Sequence, residues 1–437
     1  MALALLDTVT EHEYLSSDRR ASVFAGESTL TLLLRQRPLL LLGWGLFFLG
    51  IPLASTIVSI LLLLLDSLVV LVRTRVFRHQ VAGPPIFFKQ EESRKRQALI
   101  LFSLLGLWAV IGSLLSIRPD IALPSTIGLT LIISVFFFRA GDLLWEDRWI
   151  LRRTMPFLVI GLLASSIYGV YASQIQRVPR LELIGHGPNG SGTCLLISIL
   201  LAWSYADSLT KPWTKLGVRL IALAGIPSLL FTQSRGAWLG FAGGAVFYSL
   251  LSGHRRNWIW LLVGVVIISV IVQANPSLQR RMQRIFSLEL NKDRIEVWTV
   301  TLKFIPDHLV FGVGTAVFPH VYQRYSPRGN AMSFAHNFFL QALAEYGIPG
   351  LLLSTAVIGL SLTAGYHGVK RCRWPFALGV LSAVIGTLIH QQVDNTIHGA
   401  NLASIFWLLC GFLVALRQEQ ESAESCPLTS RGESATI

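Results

Sequence analysis

Charged residues are scarce, at 14% of a 437-residue chain, where a soluble domain carries about a quarter. That deficit argues against a water-soluble globular enzyme. Hydrophobic residues reach 52% and mean hydropathy is +0.57, which also excludes disordered, collagen-like and disulfide-scaffold classes. Only four cysteines are present, Cys194, Cys372, Cys410 and Cys426, and none forms a CxxC pair. Neither a disulfide nor a cysteine-bound metal is expected. The first 34 residues mix acids, bases and serines, so no cleavable signal peptide is read there. No internal repeat is apparent, which withholds support from an inverted-repeat transporter.

What the chain has instead is long apolar runs. A spanning helix needs roughly 20 apolar residues, and solid stretches such as Leu61 to Leu65 are not the alternation of a membrane β-barrel. The fold class is an all-α polytopic membrane protein of about 12 transmembrane helices. The stretch Pro38 to Val72, broken at Pro52, reads as a hairpin of two spans. The others fall near 98–117, 121–139, 155–173, 191–208, 217–233, 236–252, 258–274, 347–368, 375–391 and 401–416. An even number of crossings puts both termini on one side. The net charge is +13, and most of the 37 lysines and arginines fall in alternate loops and at the ends, among them Arg73, Arg75, Arg78, Arg94, Lys95 and Arg96. The positive-inside rule makes that side, and both termini, cytoplasmic.

The remaining basic residues are not scattered. Arg118 stands in a short outer loop, Arg177 and Arg180 follow the fifth span, and Arg235 lies at the outer end of the seventh. Arg280, Arg281, Arg284, Lys292, Arg294, Lys303, Arg324 and Arg328 share one long outer segment, about Gln273 to His336. Outer loops are normally poor in lysine and arginine, so this concentration points to an anion bound outside the inner leaflet; contact with lipid headgroups is the plainer alternative. The segment has helical patterns. One opens at Asn275-Pro276-Ser277, with Asn275 or Ser277 as cap and Arg280 and Arg284 on one face. A second runs from about Asp293 through Trp298 to Phe304. A third begins at or just before His336 and stops at Gly347 and Pro349, its apolar surface suited to the membrane interface.

Gly185-His186-Gly187-Pro188-Asn189-Gly190 fits GxGxxG, but it joins two spans, follows no strand and contains a proline, so it is no dinucleotide loop. It reads as an outer loop where backbone approaches a ligand, which makes His186 and Asn189 candidate contacts. His390, Asp394 and His398 stand at i, i+4, i+8, a spacing that would hold a metal on an unbroken helix. Gly399 and Asn395 argue that the helix ends there, leaving a polar pair at the outer mouth. No DxD occurs outside, so arginines are the available partners for a pyrophosphate, through bidentate charge-assisted bonds.

Three motifs surround the long outer segment: Gln233-Ser234-Arg235-Gly236-Ala237-Trp238; Asp293-Arg294-Ile295-Glu296-Val297-Trp298 with Gly312-Val313-Gly314; and Ala335-His336-Asn337 with Glu345-Tyr346-Gly347-Ile348-Pro349-Gly350. In this order and topology they resemble the O-antigen ligase and Wzy-type polymerase superfamily, over about Leu181 to Gly350. The resemblance implies a GT-C-like, metal-independent glycosyltransferase without a cofactor, with Arg235, Arg294 and His336 as catalytic residues. A donor of undecaprenyl-pyrophosphate-linked glycan and an acceptor of lipid A–core oligosaccharide would meet on the periplasmic face of a bacterial inner membrane. Membrane lipids are further partners and nucleic acid is none. Arg177, Arg180, Arg284, His186, Asn189 and Asn337 are read as substrate-binding. The chain then divides into a cytoplasmic segment 1–34, helices one to nine over 35–274, a periplasmic loop with interfacial helices over 275–346, helices ten to twelve over 347–416 and a disordered cytoplasmic tail 417–437.

The chemistry agrees with the residues. A pyrophosphate leaving group gains charge as the glycosyl bond breaks, so fixed cations favour the transition state. A histidine near neutral pH can take the acceptor's proton; whether His336 does so or binds phosphate is open at this level. Ligase is the leading reading, ahead of polymerase, protein O-oligosaccharyltransferase and, in another class, a transporter or flippase of the lipid-linked glycan.

Overall fold

The computed structural model describes residues 93–140, 148–183, 185–283, 292–372 and 374–416. The first two expected spans, segment 1–34, tail 417–437 and Arg284 lie outside them. The described residues form helices α1 Ser93–Leu114, α2 Pro119–Ser134 with a π turn Val135–Ala140, α3 Arg148–Gln174, α4 Pro188–Ser208, α5 Pro212–Phe231, α6 Arg235–Ser252, α7 Arg255–Ala274, α8 Pro276–Gln283, α9 Lys292–Phe304, α10 Phe318–Tyr325, α11 Phe338–Cys372, α12 Pro375–His390 and α13 Ala400–Ala415. No strand occurs among them. Proline opens α2, α4, α5 and α12, where its missing N–H has no helical partner to lose. Among the described residues, six helices are long and apolar enough to cross a membrane, and α12 and α13 are apolar but shorter. Every span expected between residues 98 and 416 coincides with a helix within a few residues.

The bundle is held by close backbone approaches. α12 packs on α4 and α6. A Cβ on Gly240 would stand 2.4 Å from the Gly386 carbonyl oxygen, and one on Gly236 would stand 2.6 Å from the His390 ring. Small residues at such crossings supply the van der Waals contact that drives helix association where hydrocarbon surrounds the helices. α4, α5 and α6 run antiparallel, so residues 188–190 and 231–236 meet at one end. At the other end Arg219 is buried. It pairs with Asp207, which also accepts from the Tyr248 hydroxyl at 2.8 Å, and stacks between Trp203 and Trp260.

The long segment between α7 and α11 builds a second core of Val297, Val300, Phe304, Val317, Phe318 and Tyr322, closed by Ala335, Ala344 and, from α2, Ala122. Burying each large side chain contributes about 1.5–3 kcal/mol. The core is tied to the bundle where Ser116 donates to the Val313 carbonyl at 2.6 Å and Trp108 to the Tyr346 carbonyl at 3.0 Å.

α11 is two helices joined at Gly347, whose φ of 68° breaks the helical path. The break leaves carbonyls at 344 and 345 without helical partners. The Gly312-Val313-Gly314 turn supplies them: Val313 N–H bonds to Ala344 O at 2.8 Å and Gly314 N–H to Glu345 O at 3.0 Å. A Cβ at Gly347 would lie 2.1 Å from the Val310 carbonyl oxygen. Gly347→Ala is therefore expected to lower stability by at least about 2 kcal/mol, from left-handed strain plus the clash. Thermal unfolding in detergent checks this; an unchanged midpoint contradicts it.

Candidate functional site

Three chain segments that are remote in sequence converge where α4, α6, α9, α11 and α12 meet. α12 ends at His390, and the chain turns through Asp394 into a 3-10 turn, Thr396–His398. Asp394 is 4% exposed and holds two of the expected catalytic residues. His336 Nδ1 is 3.1 Å from Asp394 Oδ1, and Arg294 Nη2 donates to Asp394 Oδ2 at 3.3 Å. Burial alone would push the Asp394 carboxyl up. The hydrogen bond with His336 and nearby positive charge, including that of Arg294, outweigh burial and hold it below its ordinary range. Asp394 is thus an anion at neutral pH and accepts from His336 Nδ1–H, which leaves His336 Nε2 as the lone-pair nitrogen.

His336 is locked in place. Its backbone φ is 50°, a left-handed position uncommon for a non-glycine residue. The preceding residue, Ala335, is pinned from both sides: its carbonyl accepts from Trp298 Nε1 at 2.8 Å and its N–H donates to Gln341 Oε1 at 2.6 Å. Trp298 belongs to the second motif, so that motif supplies both Arg294 and the support for the histidine. Trp238 of the first motif acts similarly, tying α6 to α5 through a 3.0 Å bond from its Nε1 to Leu229 O.

Arg235 is the first residue of α6 and is buried. The charges of Arg281 and Arg294 both bear on it. Arg281 on α8 donates from Nε to Gln233 O at 3.3 Å, and Gln233 itself is held at φ 52°. Arg180 donates to Asn189 Oδ1 at 2.9 Å and to Thr232 O at 3.1 Å. Burial, then the charge of Arg281, pushes the Arg180 guanidinium below its usual value, and burial with Arg294 does the same to Arg281. Arg180, Arg235, Arg281 and Arg294 lie close enough for their charges to act on one another, with Asp394 bonded to Arg294 and the charges of Asp394 and Glu182 bearing on Arg180; such an excess of guanidinium groups suits a polyvalent anion.

Not every expected contact is placed this way. Arg177 is exposed at a left-handed turn after α3 (φ 54°). Asn337 caps α11: its Oδ1 accepts from Leu340 N–H at 2.9 Å and its Nδ2 donates to Gln392 O at 2.8 Å. That is a structural use of a residue read as substrate-binding. His186 packs against the first turn of α4, where burial pushes its imidazole down. Arg280 is exposed, while Arg281 turns inward beside buried Leu278.

The spacing of His390, Asp394 and His398 does not produce a metal cluster; no such group occurs among the described residues. His390 is not at a mouth either. It is fully buried, with Nδ1 at 3.0 Å from Thr193 Oγ1 and Nε2 at 3.4 Å from Ser234 Oγ, linking α4, α6 and α12 under the site. His398 pairs with Glu345 at 3.6 Å. Nor does Arg294 pair with Asp293 or Glu296; Glu296 takes Arg328 at 3.4 Å.

Residues 220–355 match the family model described as O-antigen ligase. No curated protein matches the chain. The matched stretch runs from α5 past the Gly347 break and contains Arg235, Arg281, Arg294 and His336, while Arg180, Asn189 and Asp394 lie outside it. The family resemblance read from the three motifs is thereby supported, and with it an enzyme of the glycan ligase and polymerase kind.

Proposed function

We propose that this chain, with its O-antigen ligase family domain, is the ligase itself: it moves a finished O-antigen glycan from undecaprenyl pyrophosphate to lipid A–core oligosaccharide on the periplasmic face of the inner membrane. The observation that carries this reading is the joining of His336 and Arg294 on one carboxylate, Asp394, beside Arg180, Arg235 and Arg281. The acceptor hydroxyl attacks the anomeric carbon. As the new carbon–oxygen bond forms, the bond from that carbon to the pyrophosphate oxygen breaks, and the anomeric centre inverts. His336 Nε2 takes the hydroxyl proton while Asp394 stabilises the imidazolium. The arginines hold the leaving pyrophosphate as its charge grows, an interaction stronger in the transition state than in the bound donor. No step draws on a metal.

Purified protein is expected to transfer glycan from the lipid pyrophosphate to lipid A–core with EDTA present. Loss of transfer in EDTA removes the metal-free mechanism. Extension of a second lipid-linked glycan in place of lipid A–core identifies a polymerase using the same residues.

A further inference from the structure

The chain that carries Asp394 is closed into a ring by one side chain. Gln391 caps the end of α12 and is fully buried. Its Oε1 accepts from the Thr396 N–H at 2.8 Å and from the Ile397 N–H at 3.3 Å, and its Nε2 donates to Thr396 Oγ1 at 2.8 Å. Thr396 Oγ1 is in turn 2.7 Å from Thr193 Oγ1 on α4, which stands 3.0 Å from His390 Nδ1. Both heteroatoms of the Gln391 amide are thus used, and two turn N–H groups that would otherwise lack partners are satisfied. The main chain beside it faces the histidine's segment. Phe338 N–H donates to Gln391 O at 3.0 Å, and Asn337 Nδ2 to Gln392 O at 2.8 Å. The far end of the turn is tied to the same segment: His398 lies 3.6 Å from Glu345 and its ring packs edge-on to Phe334 at 5.3 Å. A catalytic pair needs its partners held to about 0.5 Å, and Gln391 stands where the two chains are joined.

We propose that Gln391 is a positioning residue for glycosyl transfer: its buried amide clamps the turn so that the Asp394 carboxylate meets His336 Nδ1. Gln391 acts through the turn and not on substrate. This rests on His336 and Asp394 being the pair that takes the acceptor's proton, but not on which acceptor is used. Gln391→Leu keeps the bulk and removes the amide. It also leaves the 396 and 397 N–H groups without their acceptor, so a second variant is needed should it fail to fold. Thr396→Val removes only the hydroxyl that Gln391 Nε2 and Thr193 share, and Thr396→Ser keeps that hydroxyl.

The test measures how fast diethyl pyrocarbonate acylates His336 in full-length protein in nanodiscs, without substrate, by mass spectrometry of the His336 peptide. The reagent takes the Nε2 lone pair, which a carboxylate bonded to Nδ1–H makes more basic. Gln391→Leu and Thr396→Val are expected to slow acylation several-fold, and Thr396→Ser to keep the wild-type rate. Asp394→Asn slows it too, and Gln391→Leu then adds nothing, because both act through one carboxylate. In steady-state transfer Gln391→Leu lowers kcat about tenfold or more and leaves the donor KM unchanged. Wild-type acylation in both Gln391→Leu and Thr396→Val, a full further loss on top of Asp394→Asn, or an unchanged kcat overturns the assignment and leaves Gln391 a residue of stability alone. Slowed acylation in a protein that transfers no glycan faults the transfer reading and leaves the clamp standing.

Discussion

Asp394→Asn is expected to lower kcat by about 10³- to 10⁴-fold, comparable to the loss when a buried carboxylate that orients a catalytic histidine becomes an amide. The carboxylate accepts from His336 Nδ1 at 3.1 Å. An asparagine amide can donate there instead, which places the imidazole proton on Nε2, where the lone pair is needed. The substitution also loosens Arg294, held by the same carboxylate at 3.3 Å. The donor KM should move little, because the interactions lost act mainly in the transition state. Steady-state transfer kinetics check this. A variant that keeps kcat and changes only KM would show that Asp394 organises binding and not proton transfer. The fold stabilises the ionised form of Asp394, a contribution present at neutral pH and lost as pH falls through its folded value.

Arg235→Ala and Arg294→Ala are each expected to cost about 10²- to 10³-fold in kcat, or ~2.7–4 kcal/mol of transition-state stabilisation. Lysine should rescue either poorly, since a point charge does not reproduce the planar fork that spans two phosphate oxygens. The two losses should not add, because both arginines answer the same developing charge. Arg177→Ala, at an exposed turn, should stay near wild type and serves as the control for bulk electrostatics. Equal losses at Arg177 and Arg235 would mean that the cations act as a diffuse attractive field.

Much of this arrangement was legible in the chain. Apolar runs bounded by proline and glycine located the helices to within a few residues, because hydrocarbon forces each span to satisfy its own backbone. The basic residues expected on the outer side, where positive charge is usually scarce, include Arg180, Arg235, Arg281 and Arg294, which the fold brings near one another. Gly347 and the Gly312–Gly314 turn were readable as breaks, though not as partners, because their hydrogen bonds join segments remote in sequence. The pairing of His336 with Asp394 was hidden for the same reason: 58 residues separate them. Asp394 stood in the sequence as part of a spacing that would hold a metal on an unbroken helix, or of a polar pair where the helix ends; the helix does stop at His390, but neither reading pointed to His336. Asn337, read as a ligand contact, also caps a helix, because both uses draw on the same amide. Arg281 carried a signal that was passed over. It stands three residues after Leu278, so a helix that buries the leucine turns the arginine inward.

The most direct measurement is single-turnover transfer from radiolabelled undecaprenyl-pyrophosphate glycan to lipid A–core by His336→Ala beside wild type, after both are shown to bind donor equally. A transfer rate reduced by about 10²-fold or more, as expected when a positioned base is lost, is the predicted result. Transfer by His336→Ala at the wild-type rate contradicts the account.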